Sequence, residues 1–281
     1  MKQLLFYILT LTFAILLTTS SCSDGKTAKA HGTDTVSITV DTLSCNSLFT
    51  KSNGTKCLQN VNLRIELPTK YKNKKAIAKL QQFFCDAVLD INDSINIDDA
   101  ITRFATSLLI QDSGQDEQHS YDYANDAGDV LVDNIGMDID VKMIYNDYDI
   151  VTFVKCETVT KNKRITSVIH RYFSFDLQAM ALIELNRMFN DSRLDEITTL
   201  LKDKLLEQNK VDNEDQLNEL GYFNLPNLSV TNNFYFTGDS ITWSYEPNML
   251  AVSTVGEPRI SLAIDELAPF MLDNSLLHRF K

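Results

Sequence analysis

The chain has 281 residues, 44% of them hydrophobic, with 9 Gly and 5 Pro. That is enough apolar material for a folded core, and too little Gly and Pro for a low-complexity or collagen-like chain. A formal net charge of −12 excludes the basic footprint that nucleic-acid phosphates require and argues against charge-driven docking on anionic lipid; a cationic partner is the weak positive implication.

Lys2 opens a short basic start, Leu4 to Leu17 is an apolar run broken by Thr10 and Thr12, and Thr18 to Ser21 leads to Cys22. Charge, apolar segment and small-residue cleavage site are the three parts of a secretory signal. The run falls short of the roughly 20 residues that span a bilayer. A cysteine directly after the small residues resembles the cleavage box of bacterial lipoproteins, with Thr19 where such boxes usually carry leucine. The resemblance implies that residues 1–21 are a signal peptide and that Cys22 becomes the lipid-bearing first residue. The protein would then be held at the membrane of the cell envelope, facing the periplasm or the exterior. Ser23, rather than Asp, directly after Cys22 favours the outer membrane over the inner. Loss of Lys2 makes the mature chain one unit more negative.

Residues 22–34 are small and polar without apolar period, a tether between lipid and fold. Val36, Ile38 and Val40 alternate with polar residues, as do Val61, Leu63, Ile65 and Leu67 before Pro68, so two strands with one buried face are expected. Cys45 and Cys57 flank the polar segment 46–56 and could close it as a disulfide loop; Cys85 and Cys156 read as small buried hydrophobes, with a bridge between them a lesser alternative. The period then changes. Ile77, Leu80, Phe83, Phe84, Val88 and Ile91 form a helical stripe, followed by Ile101, Phe104, Ala105, Leu108 and Leu109, with Asp98 and Asp99 at the start of the second helix.

Ten aspartates and one lysine lie between Gln111 and Asp149. Without an Asp-x-Asp-x-Asp-Gly loop they read as a solvated loop followed by polar strand faces, not as a calcium site. Ile135 to Met143, Ile150 to Val154 and Ile165 to Phe175 are three consecutive strands, an antiparallel meander turning at Lys161-Asn162-Lys163. A helix is expected from Arg193 to Gln208. Phe234 to Thr237 and Ile241 to Tyr245 make a hairpin around Gly238-Asp239, Arg259 to Ile264 is a strand, and Asp265 is expected to cap a short last helix through Leu272. The fold class is α+β, antiparallel sheets with packed helices.

Asn233-Phe234-Tyr235-Phe236-Thr237, Ile241 to Pro247, Gly256 and the strand before Glu266-Leu267 resemble the C-terminal domain of RsiV-like proteins, a widespread extracytoplasmic family. Tyr172 to Asp176 with Leu182 to Phe189 fits the segment that precedes that family's long helix. Tyr245, Pro247, Leu250, Ala251 and Gly256 keep the family residue or type; Asn248, Met249, Val252 and Ser253 replace its Tyr, Glu, Pro and Tyr. The early strand and helix are similar to the companion domain of such proteins and of PdaC-type deacetylases. The resemblance implies an N-terminal α+β region over 35–159 and an RsiV-like domain over 160–281. Since the family includes a sensor that binds lysozyme and domains attached to peptidoglycan-modifying enzymes, it implies a lysozyme-like protein or peptidoglycan as partner.

Chemistry is sparse in the sequence. His31, His119, His170 and His278 are scattered, no nucleophile, metal or phosphate-loop motif occurs, and no cofactor or metal is called for. Alternation puts Trp243 and Tyr245 on one strand face. Together with Pro247, Asn248 and Met249 they are the best candidate ligand-binding surface, the alternative being a core face under the nearby helix. The expected function is a non-catalytic, lipid-anchored envelope protein that binds an envelope or host-derived ligand. A peptidoglycan hydrolase or deacetylase, and a structural accessory of an envelope complex, are the alternatives.

Overall fold

Strands β1 (Ser37–Thr50) and β2 (Lys56–Lys70) form one long antiparallel hairpin, with Thr50 opposite Lys56 and Ser37 opposite Lys70. The computed structural model describes residues 35–51, 54–93, 96–111 and 132–280. Residues 46–50, expected in a loop, are strand because Leu48 pairs with Leu58 and Phe49 with Cys57. β2 gives the Thr- and Leu-containing segment both a ladder for its peptide groups and cross-strand neighbours. Pro68 does not end β2; it sits beside the register shift at Ser37/Ile38, a bulge where the missing N–H costs nothing. Along β2, Val61, Leu63, Ile65 and Leu67 are buried as their alternation requires.

Helix α1 (Lys74–Val88) is capped by Asn73, whose side chain accepts the backbone N–H groups of Lys75 and Ala76, both at 3.0 Å. Helix α2 (Ile97–Gln111) follows, with Asn96 accepting the Asp99 N–H at 2.9 Å. Both helices cover one face of the sheet. Leu80, Phe84, Val88, Ile101 and Phe104 share a core with Val61, Leu63 and Ile65, and Phe84 meets Phe153 edge-on at 5.1 Å.

The two-helix crossover returns the chain parallel to β2. β3 (Val132–Asp147) aligns Met137 with Val61 and Val141 with Ile65. This parallel pair departs from an otherwise antiparallel sheet, and it follows from a connection long enough to bring the chain back to the same end. β4 (Ile150–Lys161), β5 (Arg164–Asp176) and the short β6 (Ala181–Leu182) complete a six-stranded sheet in chain order. The β3–β5 meander is the one expected, and Asn162 and Lys163, both with positive φ, make its second turn. Asp138 and Asp140 lie on the polar face of β3, where Asp138 accepts from Asn62 at 2.8 Å and Asp140 from Arg64 at 3.1 Å on the neighbouring strand. Residues 112–131 of the acidic stretch lie outside the described residues.

A second core begins at Ile183. Helix α3 (Leu194–Asn209) turns Ile197, Leu201 and Leu205 into it and ends at Lys210 in the left-handed conformation. Helix α4 (Glu214–Glu219) follows. A three-stranded antiparallel sheet is then built from β7 (Phe234–Thr237), β8 (Ser240–Ser244) and β9 (Arg259–Ala263), with α3 against β9. The last α-helix, α5 (Ile264–Leu267), starts one residue before Asp265 and runs into a 3₁₀ turn at Ala268–Phe270; Glu266 accepts the Ala263 N–H at 2.7 Å, so Asp265 is not its cap. The fold is thus α+β.

The described residues form one compact unit. The expected boundary at 159/160 falls inside the β4–β5 hairpin, so the large sheet runs across it. The two cores part near Ile183 instead, with Ile150 the early residue that joins the second. Asp176, which is 3% exposed, ties them: it accepts from Arg279 at 2.9 Å, and Phe280 stacks on Tyr148 at 4.4 Å and on Phe236 at 5.7 Å.

Candidate functional site

β8 is the middle strand of the small sheet, flanked by β7 and β9. Ile241, Thr242, Trp243 and Ser244 are all buried, on both faces of the strand. Trp243, at 0% exposure, lies 6.4 Å from the rings of Phe189 and Phe234. Tyr245 is equally enclosed and donates its hydroxyl to the Ser229 carbonyl at 3.0 Å; burial pushes its pKa up. The two aromatics expected on a ligand-binding surface are therefore core residues. Alternation placed them correctly on one face, but not the cover over that face.

The rest of the expected surface is exposed or partly exposed. Pro247 and Asn248, with Asn248 at φ 64, help to wall an open groove of about 540 Å³. One wall is β5 from Ile165 to His170; the other is the connection from Glu246 to Asn248 together with Ser253, Gly256 and Glu257. Met249, 40% exposed, is outside the groove lining; like Leu220, Phe223 and Val252 it is an exposed apolar residue near the bridge between Tyr222 and Ala251. Gly221 belongs to this bridge at φ +95, and an added Cβ would meet Val252 Cγ2 at 2.8 Å.

The inner end of the groove is polar. Glu257 accepts from Arg259 at 3.0 Å and from the buried Ser244 hydroxyl, and His170 Nδ1 lies 2.7 Å from it. Burial alone would raise the Glu257 pKa; His170, Ser244 and Arg259 together outweigh it and hold the carboxyl below its usual value. Glu246, half exposed at the rim, lies 3.7 Å from Arg171.

Chemically, this cluster is a carboxylate clamp. Ser244 donates its hydroxyl to one Glu257 oxygen, and His170 Nδ1 lies against the other. Among the described residues, no group of three or more His, Cys, Asp or Glu side chains is placed to hold a metal ion.

Asn233 fixes the groove where the two sheets meet. Its side-chain amide donates to the carbonyls of His170, at 3.2 Å, and Ser244, at 3.1 Å, while Tyr235 stacks on Tyr172 at 4.4 Å. Sequence reasoning noticed Asn233 only through the family pattern and missed the β5 wall and Glu257 altogether. An edge strand and a carboxylate ninety residues apart in sequence leave no joint signal.

The cysteines do not pair as expected. Cys45 lies opposite Val61 and Cys57 opposite Phe49, four residues out of step on paired strands. That is about 13 Å along the strand, against the roughly 4.4–6.8 Å that a disulfide spans. Cys85 points from α1 towards the helix-covered face, whereas Cys156 is one residue from the inward Lys155 and so faces the other side. Cys22, the signal peptide and the tether lie outside the described residues. No described helix is long and apolar enough to cross a membrane.

Residues 186–265 fit the family described as Protein of unknown function (DUF3298). The DUF3298 match runs from α3 to α5 and includes the Glu246–Glu257 wall, but not β5. The fold is similar to that of a DUF3298 family member from Bacteroides fragilis NCTC 9343, with TM-score 0.66 at 15% identity over 88% of this chain and 99% of that one. A DUF3298 family protein from Pseudomonas aeruginosa PAO1 aligns with TM-score 0.49 at 12% identity, over 84% and 95%. No curated protein matches the chain.

Proposed function

We propose that this is a lipid-anchored, non-catalytic envelope protein whose DUF3298 region forms half of a ligand-binding groove. The observation that carries the reading is the groove between β5 and the Glu246–Glu257 connection, with its floor held rigid by Asn233 and by the Glu257 clamp. A site prepared in this way loses little ordering entropy on binding. The leader and Cys22 supply the address, in the outer membrane rather than the inner. The ligand class is an envelope or host-derived partner, a lysozyme-like protein or peptidoglycan; the chain's acidity would speed encounter with the former.

The test uses the chain from residue 22, titrated with lysozyme and with purified peptidoglycan at low and high salt. Saturable binding that Glu246→Gln and Asn248→Ala weaken supports the reading. Binding to neither partner removes it, and turnover of peptidoglycan by the same sample would favour the hydrolase alternative. Failure of the full chain to take up labelled palmitate in cells, or uptake unchanged by Cys22→Ser, removes the lipid anchor.

A further inference from the structure

The outer edge of β5 is occupied by degrees along its length. Asp176 and Phe175 pair with β6, the Ser174 carbonyl accepts the Ile183 N–H at 2.7 Å, and Asn233 then takes over. Its Oδ1 accepts the Tyr172 N–H at 3.0 Å and its Nδ2 donates to the His170 carbonyl. One side-chain amide thereby serves two backbone groups that the N–H and carbonyl of a residue in a neighbouring strand would otherwise serve. Among the described residues no strand pairs with this edge from Arg164 to Ile169, and Ile165 to Ile169 line the groove.

Peptide groups alternate in direction along a strand. Since Tyr172 and His170 point outward, the N–H and carbonyl of Val168 and the N–H of His170 face the groove. They lie in line with the amide of Asn233. The register shift at Val159/Thr160 ends the regular run at its far end. The groove charges are also polarised. Lys163 and Arg164, both exposed, stand at the hairpin end and make no ion pair among the described residues; Glu246 and Glu257 stand at the other.

We propose that the open edge of β5 takes an extended peptide as an added antiparallel strand, its C-terminal carboxylate at Lys163 and Arg164 and its N-terminal end toward Glu246. Backbone hydrogen bonds to Val168 and His170 supply affinity, and the two charged ends set direction. This deepens the ligand-binding reading of the same groove and rests on it: the recognised chemistry is a strand with a terminal carboxylate, not a sugar face.

The probe is Thr-Val-Thr-Val-Thr-Glu with free amino and carboxyl termini, titrated to millimolar concentration into ¹⁵N-labelled chain from residue 22. The expected result is saturable shifts and slowed exchange at the Val168 and His170 amides, lost when alternate peptide nitrogens are N-methylated. Binding should be about tenfold weaker for the amide-terminated peptide and for Lys163→Gln/Arg164→Gln. Unmoved Val168 and His170 amides overturn the proposal. So does binding indifferent to N-methylation, or a double variant that self-associates while holding peptide unchanged, since the two cations would then only guard an edge. If lysozyme or peptidoglycan binds without protecting these amides, strand addition fails and the envelope reading stands. If the peptide binds and neither polymer does, the reverse holds.

Discussion

The side-chain oxygen of Asn233 accepts the backbone N–H of Tyr172 at 3.0 Å, across 61 positions of sequence. With the two carbonyls its amide serves, Asn233 sews the meander of the large sheet to the first strand of the small one. Asn233→Ala should cost about 1–3 kcal/mol, since it strands three backbone groups. Asn233→Asp, which keeps the acceptor and loses both donors, should recover only part of that. Urea unfolding of the three proteins checks it, and equal midpoints would show that the stitch is idle.

Trp243→Ala should destabilise by about 3–5 kcal/mol, as for other fully enclosed aromatics. Pro247→Ala and Met249→Ala, on the surface side of the same segment, should stay within about 0.5 kcal/mol. Thermal denaturation separates the two classes. A mild Trp243→Ala would contradict the core placement.

Glu257 has a carboxyl held below its ordinary value of 4.5. Its folded pKa lies under its unfolded one, so its contribution is complete above about pH 4.5 and is lost as pH falls through the depressed value. Glu257→Gln should therefore flatten the acid limb of the stability profile while lowering stability at neutral pH. A parallel downward shift at every pH would count against this.

Removing Arg279 leaves Asp176 buried beside the more distant Arg187, at 3.8 Å. Arg279→Ala should cost about 3 kcal/mol, and Asp176→Asn should mute the loss in a double-mutant cycle. Additive losses in the double variant would show that the pair is uncoupled.

Reductant should leave the melting temperature unchanged, and intact mass of the alkylated, unreduced chain should show Cys45 and Cys57 labelled once unfolded. Cys85, its pKa pushed up to about 11 by burial and by Asp86, should resist alkylation until the chain opens. A mass lower by two protons, with the pair blocked, would restore the bridge.

Period carried most of the fold. Val61 to Leu67, the Leu80–Phe84–Val88 stripe and the Asn162-Lys163 turn all took the expected forms because each is decided within a few residues of itself. What stayed hidden depends on distant partners. Thr50 is strand because Lys56 answers it, and β3 is parallel because two helices intervene. Of the site, Pro247 and Asn248 were named with the aromatic segment that leads into them and the family pattern laid over it. His170 and Glu257 were not, since an isolated histidine in a strand carries no signal of the carboxylate that folds against it.

The parallel β2–β3 pairing also sets a timetable. Asn62 meets Asp138 across 76 residues, a closure whose entropy must be met before any of its hydrogen bonds form. The local β3–β4–β5 hairpins need no such wait, so they should assemble early and offer β3 as a bare edge until the β1–β2 hairpin arrives. Refolding should be slow for the chain's size, in the millisecond-to-second range of sheets with distant pairings, and that interval is when the protein is most exposed to wrong partners.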